Sequence, residues 1–229
     1  MSDPEATTAL VEATLPLGWE IDAARAEALL RWRDRLLQQN LRVNLTSVRD
    51  PDEAIPRLVL DSLAIGLHLA ERPLEKGATA CDLGTGGGLP GMPLAIVRPD
   101  LSLTLVESRL RKVDAVRRIA NQLRIGNVDI RRGRLSELAA EDPGLQAAFS
   151  LVTARAVGSL AEMIAESADI IAPGGTLVVW KGDDLDDTER SEGASAATSA
   201  GLTALDDITY DVYRPSRLVR YSRPESSDA

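Results

Sequence analysis

One histidine, one cysteine and very few aromatic side chains narrow the chemistry open to this 229-residue chain. A lone Cys81 excludes an internal disulfide framework. It closes an apolar strand-like run, so it reads as a buried thiol rather than a reactive nucleophile. No group of His, Cys and Asp has metal-ligand spacing, so no metal is expected. His68 has no partner motif and reads as structural or exposed rather than catalytic. No apolar run approaches the roughly 18 residues that cross a bilayer, and the acidic start MSDPEATTALVEATLPLG lacks the basic start of a secretory signal. A soluble cytoplasmic protein without a membrane partner is the expectation. Aromatics make up only 3% of the chain, so Ala, Leu, Val and Ile must fill the core.

Positive charge is scarce overall but concentrated. The net charge is −9, which argues against a general nucleic-acid coat. Yet residues 108–134 carry nine Arg or Lys against Asp114 and Asp129, while residues 183–192 carry six carboxylates against Arg190. This asymmetry allows local contact with a polyanion, or it marks one solvated helix face and one acidic loop.

Residues 22–39 and 52–70 place apolar side chains at helical spacing, with Pro56 in the first turn of the second segment, where a missing N–H is tolerated. Residues 1–70 are therefore read as an N-terminal helical extension, with 1–18 mobile, folded as one unit with residues 71–229. Beyond Gly77 short apolar runs alternate with helical stretches: ATACDL, LSLTLVE, NVDIRR, FSLVTA and GTLVVWK, with helices expected over 109–123, after Arg134, over 159–171 and over 185–200. Such alternation gives a parallel sheet with crossover helices. DDITYDVY and SRLVRYS, separated by Arg214 and Pro215, form an antiparallel hairpin on the sheet edge. The fold class is α/β, an open sheet of about seven strands, with the tail ESSDA frayed.

The densest signal is CDLGTGGGLPGMPLAIV, residues 81–97, with four glycines in five positions. Ligands of open α/β sheets sit beyond the carboxyl ends of the strands, where this loop falls. Glycine there permits positive φ and removes the Cβ that would strike a ligand. The following helix is expected to aim its N-terminus at the same space. Two ligands compete: Gly86-x-Gly88-x-x-Gly91 matches a dinucleotide fingerprint, and Asp82-x-Gly84-x-Gly86-x-Gly88 matches an S-adenosylmethionine pattern. Glu107, ending the second strand, suits either because its carboxylate accepts both ribose hydroxyls. Asp82 decides between them: at the mouth it repels a pyrophosphate and attracts the ammonium of a methionine moiety.

NLTSVRDPDEAIPRLVLDSL (44–63), DLGTGGGLPGMPLAIVRPDLSLTLVES (82–108) and TARAVGSL (153–160) resemble the RsmG (GidB) family of bacterial 16S rRNA guanine-N7 methyltransferases. The resemblance spans about residues 19–223 and implies the class I, Rossmann-like S-adenosylmethionine-dependent methyltransferase fold. It also implies a cofactor pocket at Gly84, Gly86, Gly88, Leu89, Glu107, Leu135, Ser136 and Arg155. Leu135 would pack the adenine, and Arg155 would face the mouth to bind the cofactor carboxylate or an RNA phosphate, or else form a surface salt bridge. Here Arg57-Leu58 and Gln39-Asn40 stand where the family usually has Arg-His and Trp-Asn, and Leu89 where a Phe is common.

Arg49, Arg57, Arg155 and Lys181 fall in loops or strand ends near the expected mouth and are candidates for RNA phosphates. The helix within 108–134 is expected to flank the sheet rather than cap the pocket. The partner implied is 16S rRNA, presented within a small-subunit particle. A ring nitrogen such as guanine N7 carries an in-plane lone pair and needs no general base, so no catalytic residue is assigned. A relative acting on another RNA or a small molecule, and a non-catalytic cofactor-binding module, remain alternatives.

Overall fold

The computed structural model describes residues 3–155 and 158–225; Ala156 and Val157 of TARAVGSL, and all of the ESSDA tail except Glu225, lie outside them. The chain begins with helices α1 (Pro4–Thr14) and α2 (Ala23–Asn40). A broken helical run follows: α3 (Pro51–Ala54), a π-helical turn over Ile55–Leu60, α4 (Asp61–Leu63) and α5 (Ile65–Glu71). The α/β region then runs β1 (Thr79–Leu83), α6 (Gly91–Val97), β2 (Ser102–Glu107), α7 (Leu110–Leu123), β3 (Val128–Arg132), α8 (Leu135–Glu141) and β4 (Phe149–Arg155). It continues through α9 (Leu160–Ser167), β5 (Ile171–Gly182), α10 (Asp187–Ser199), β6 (Thr203–Asp211) and β7 (Pro215–Ser222).

The seven strands lie in the order β3-β2-β1-β4-β5-β7-β6. The first five are parallel, and β7 pairs antiparallel with both β5 and β6. The expected edge hairpin is therefore present, with its second strand inserted next to β5. The order reverses between β1 and β4, which places a crevice beyond their carboxyl ends. One expected helix is shorter than its pattern: α9 stops at Ser167, and Ile171 already belongs to β5. Apolar spacing alone cannot separate the buried end of a helix from the buried start of a strand.

Helix α2 starts where Asp22 accepts the Arg25 N–H at 2.8 Å, a typical N-cap. It buries Ala26, Leu29, Leu30, Trp32 and Leu36, at about 1.5–3 kcal/mol for each large side chain. These share one apolar cluster with Leu105, Val116 and Ile119 of the sheet region. The first eighteen residues, expected to be mobile, hold α1 with Leu10 buried, and Leu17 and Trp19 are buried after it. The Trp19 indole N–H donates to the Leu63 carbonyl at 2.6 Å. His68 is buried on α5, with Nε2 3.0 Å from Thr176 Oγ1 on β5 and Nδ1 3.4 Å from Arg220 on β7. Burial first, and then the Arg220 charge, lower its pKa to about 4, so it packs as a neutral ring. The structural reading of this histidine holds.

Candidate active site

The glycine loop joins β1 to α6, and its glycines do different jobs. Gly84, Gly86 and Gly88 have φ of +66°, +57° and +92°, conformations that other residues adopt at a cost. A Cβ at Gly88 would lie 2.5 Å from Met92 Cγ, so that glycine serves packing under α6. A Cβ at Gly87 would press on Leu36 and Leu45 at 3.1–3.3 Å, which lets the N-terminal helices sit directly on the loop. A Cβ at Gly86 meets nothing closer than 3.8 Å; its bare backbone faces the cavity.

Asp82 does not guard the mouth. It is 1% exposed, and both carboxylate oxygens are bonded inward. Oδ2 accepts from Thr85 Oγ1 at 2.5 Å and from the Gly91 N–H at 2.9 Å, while Oδ1 accepts from Thr153 Oγ1 at 2.9 Å. The first N–H of α6 is thus capped by Asp82 instead of being aimed at a ligand. Desolvation pushes the Asp82 pKa up to about 6, against the opposing pull of these hydrogen bonds and of Arg155. Its function is to fix the curvature of the loop from beneath. Cys81, beside it, is also buried, and burial drives its thiol far above the usual range.

A cavity of about 1140 Å³ opens above the loop, larger than the roughly 300–1,000 Å³ typical of single-ligand pockets. Gly84, Gly86, Leu89, Glu107, Leu135, Arg57, Arg155 and Lys181 line it, whereas Asp82, Gly88, Ser136 and Arg49 do not. Arg49 instead turns back on the carbonyls of Thr46 and Val48. Ser136 gives its N–H to Glu166 at 3.2 Å. Glu107 is nearly buried; its Oε1 accepts the Arg109 N–H at 2.8 Å, which orients the carboxylate at the end of β2.

Arg155 reaches the cavity wall but is turned to the protein. Its guanidinium lies 2.8 Å from Asp61 Oδ2, 3.2 Å from Ser62 Oγ and 2.6 Å from the Arg57 carbonyl. The two charged side chains of the pair are only 14% and 5% exposed. Lys181 is likewise engaged, 2.6 Å from Glu189 and 2.9 Å from the Gly158 carbonyl. Arg57 pairs with Glu53 across one helical turn at 3.1 Å.

Several lining residues were not singled out in the sequence. Asp61 gathers four elements: beyond Arg155 on β4, it accepts from the Tyr210 hydroxyl of β6 at 2.7 Å, and its carbonyl accepts the Trp180 indole N–H of β5 at 2.8 Å. The π-helical turn shifts the backbone register just before it, since the Asp61 N–H bonds back to the Pro56 carbonyl. Such turns recur at functional sites. Leu45, Thr46 and Ser47 line the cavity because the buried Asn40 amide holds their loop, accepting the Leu45 and Thr46 N–H groups and donating to the Thr46 and Val48 carbonyls. Arg109, Lys112 and Arg134 also line it, so both ends of the basic segment reach the pocket instead of only flanking the sheet. Of the seven Arg or Lys around the cavity, Arg57, Arg134, Arg155 and Lys181 pair with Glu53, Glu166, Asp61 and Glu189, which leaves Arg109, Lys112 and Arg214 without an ion pair among the described residues. On an acidic molecule, that local excess favours an anionic ligand. Among the described residues no cluster of potential metal ligands occurs, and no helix is long and apolar enough to cross a membrane.

The comparisons with known proteins agree with this geometry. The family profile described as rRNA small subunit methyltransferase G, GidB, matches residues 25–206. A protein of Xanthomonas euvesicatoria pv. vesicatoria called ribosomal RNA small subunit methyltransferase G is 43% identical over 175 residues, 75% of this chain and 77% of its own. One of the same name from Sorangium cellulosum is 43% identical over 171 residues, 75% of this chain and 70% of its own. Among solved structures, a SAM dependent methyltransferase from Aquifex aeolicus superposes with a TM-score of 0.57 at 16% identity, covering 76% of this chain and 93% of that one. A ribosomal protein L11 methylase from Lactobacillus delbrueckii subsp. bulgaricus gives 0.54 at 15% identity, covering 72% and 80%. These structural likenesses establish the class I methyltransferase fold, and the profile and the relatives together establish that the chain belongs to the rRNA small subunit methyltransferase G (GidB) family.

Proposed function

We propose that this protein transfers a methyl group from S-adenosylmethionine to N7 of a guanine in 16S rRNA, acting in the cytoplasm on a small-subunit particle. The carrying observation is the cavity, which joins a glycine floor and the Glu107 carboxylate to a far end where Arg57 of the N-terminal helices meets Arg155 of β4, Lys181 of β5 and Arg214 of the β6–β7 turn. The residues fit the cofactor. Glu107 has Oε1 held by the Arg109 N–H, and its carboxylate lines the cavity as an acceptor for a ribose diol. Leu135 and Val106 give an apolar wall for a base. The open position above Gly86 leaves backbone exposed to the methionine part. Asp82 is buried beneath the loop, so the ammonium must be met by other acceptors.

When bound, S-adenosylmethionine supplies an electrophilic methyl on a positively charged sulfur. What the chain must do is align an acceptor with it. Guanine N7 has an exposed lone pair and no proton to lose, and alignment alone can contribute effective molarities of about 10⁵–10⁸ M. The cavity suits that task. Neither His nor Cys is among its described lining residues. Asp61 is tied up by Arg155 and Tyr210, and Glu162 by Ser159, so these carboxylates serve as structural acceptors. Arg109, Lys112 and Arg134 line the rim and would meet RNA phosphates.

Mapping N7-methylguanosine in small-subunit rRNA of a strain lacking the gene tests the reading. One mark should vanish and return on complementation; a complete set of marks in the deletion strain overturns it. Loss of such a mark from a different RNA would favour a relative with altered target. Leu58, where the resemblance leads one to expect His, lines the cavity and is where such a change would act. Comparing purified subunits with naked rRNA as substrates tests the particle requirement.

A further inference from the structure

The cavity is longer than one nucleoside cofactor requires. Glu107 ends β2, whereas the β6–β7 turn lies four strand positions across the sheet, roughly 19 Å at the usual spacing. Both ends line the same cavity, so the hairpin end is left for a second ligand. Its aromatic side chains are not equivalent. Trp180 and Tyr210 have their polar atoms bonded to Asp61 and form the wall. Tyr213 is half-buried at the tip of the hairpin, and its ring carries two guanidinium groups. Arg57 lies 5.9 Å from the ring centroid and Arg214 5.3 Å. Arg214 is exposed and forms no ion pair among the described residues.

The platform is held from both sides. The Arg57 carbonyl receives the Arg155 guanidinium at 2.6 Å. The turn is closed by the Asp211–Pro215 register pair, and Ser216 Oγ donates to the Arg214 carbonyl at 3.2 Å. Unpaired bases stack on aromatic rings and on guanidinium groups alike, and guanidinium groups hold adjacent phosphates. Arg57 is held by Glu53, whereas the exposed Arg214 is free to yield its place over the ring to a base and to take a phosphate instead. We propose that the Arg57–Tyr213–Arg214 cluster is the stacking surface for an unpaired base of the RNA substrate, with Tyr213 as its centre. This rests on the RNA-methyltransferase reading above and extends it by naming the residues that present the base.

Two measurements test it. In steady-state kinetics with small-subunit particles, Tyr213→Ala should raise KM for the particle by about 10- to 100-fold, the range set by loss of one base–aromatic stack. Tyr213→Phe should stay within about twofold of wild type, because stacking uses the ring and not the hydroxyl. Calorimetric affinity for S-adenosylhomocysteine and the melting temperature should be unchanged in both variants. Independently, the 13C-labelled tyrosine ring signals of the full chain should be recorded during titration with a five-nucleotide unpaired guanosine-containing RNA. The Tyr213 resonances, assigned by their absence in Tyr213→Phe, should shift upfield. Methyl transfer with wild-type KM by Tyr213→Ala, or a titration that leaves the Tyr213 signals in place, overturns the proposal while leaving the methyltransferase reading intact. A Tyr213 shift with no methylation of the particle by the wild-type protein does the reverse.

Discussion

The two ends of the cavity are built on different principles. At the glycine-loop end, backbone conformation does the work: three glycines at positive φ lie within five residues, pinned from below by a carboxylate two positions upstream. At the hairpin end, side chains brought from distant parts of the chain do it. Arg155 meets Asp61 across 94 residues of sequence and Tyr210 meets Asp61 across 149. Glycine alone would leave the first end free to take many shapes; its hydrogen bonds to Asp82 and its packing on Met92 select one. The second is rigid only as long as a buried ion pair and its hydrogen bonds stay together. A substitution should therefore act sharply and locally at the loop, and globally at the Asp61 node.

The strongest challenge to this contrast is Gly88→Val. A side chain there meets Met92 Cγ at 2.5 Å in a backbone with φ +92°. The loop cannot keep its shape, and calorimetry should find cofactor affinity reduced by about 100-fold or more, from strain and overpacking of together about 3 kcal/mol. Wild-type heats from this variant would remove the loop from the site. Next is Asp61→Ala, which leaves the Arg155 guanidinium largely buried without its partner. Urea unfolding should show a loss of about 3–5 kcal/mol. Asp61→Leu combined with Arg155→Met should recover much of it, because two apolar groups need no pairing; a double variant as unstable as the single one would mean the pair is not the link.

Acid–base behaviour sharpens the comparison further. The Asp82 pKa is raised to about 6 from 3.8, so the folded state holds a proton more tightly than the unfolded one. Its contribution is complete below the unfolded value and is lost as pH rises through 6, on the order of 2–3 kcal/mol. His68 is lowered to about 4 from 6.5, so its burial costs stability as pH falls from 6.5 towards 4, by a similar amount. In the wild type the two slopes oppose each other between pH 4 and 6. Asp82→Asn removes one slope, and its stability measured by urea unfolding should then rise with pH across that window more steeply than that of the wild type. Equal slopes in the two proteins would show that Asp82 does not titrate there. The smallest effect belongs to Gly126→Ala. A Cβ added at that glycine would meet no atom within 4 Å, and its backbone lies outside the left-handed region. Its replacement should leave cofactor affinity unchanged and stability within about 1 kcal/mol, with any change a gain.

Much of the loop end was legible in the sequence. Strand–loop–helix punctuation, positive-φ glycines and a carboxylate ending the next strand are local signals, and Gly84, Gly86, Leu89, Glu107 and Leu135 do line the cavity. Asp82 was placed correctly along the chain but misjudged in direction. Whether a strand-end carboxylate points up to a ligand or down to Thr85, Gly91 and Thr153 depends on neighbours that include a residue 71 positions away. Lys181 was expected to await an anion, and Arg155 either an anion or a surface salt bridge. Each found a carboxylate on another element, and charge patterning along one segment cannot reveal such a partner. Tyr213 carried no motif, and Asp61 stood only inside the segment 44–63 on which the resemblance rests, with no role attached to it.

The sequence by itself determined the alternation of strands and helices, the glycine bend and the acidic acceptor beside it, because each depends on residues close together along the chain. Only the tertiary structure decided which charges are spent on one another, which carboxylate is buried and which aromatic is left facing the cavity. The physical reason is that burial and pairing are properties of surfaces in contact, and in this protein those surfaces come from the helices before the sheet and the hairpin that ends it.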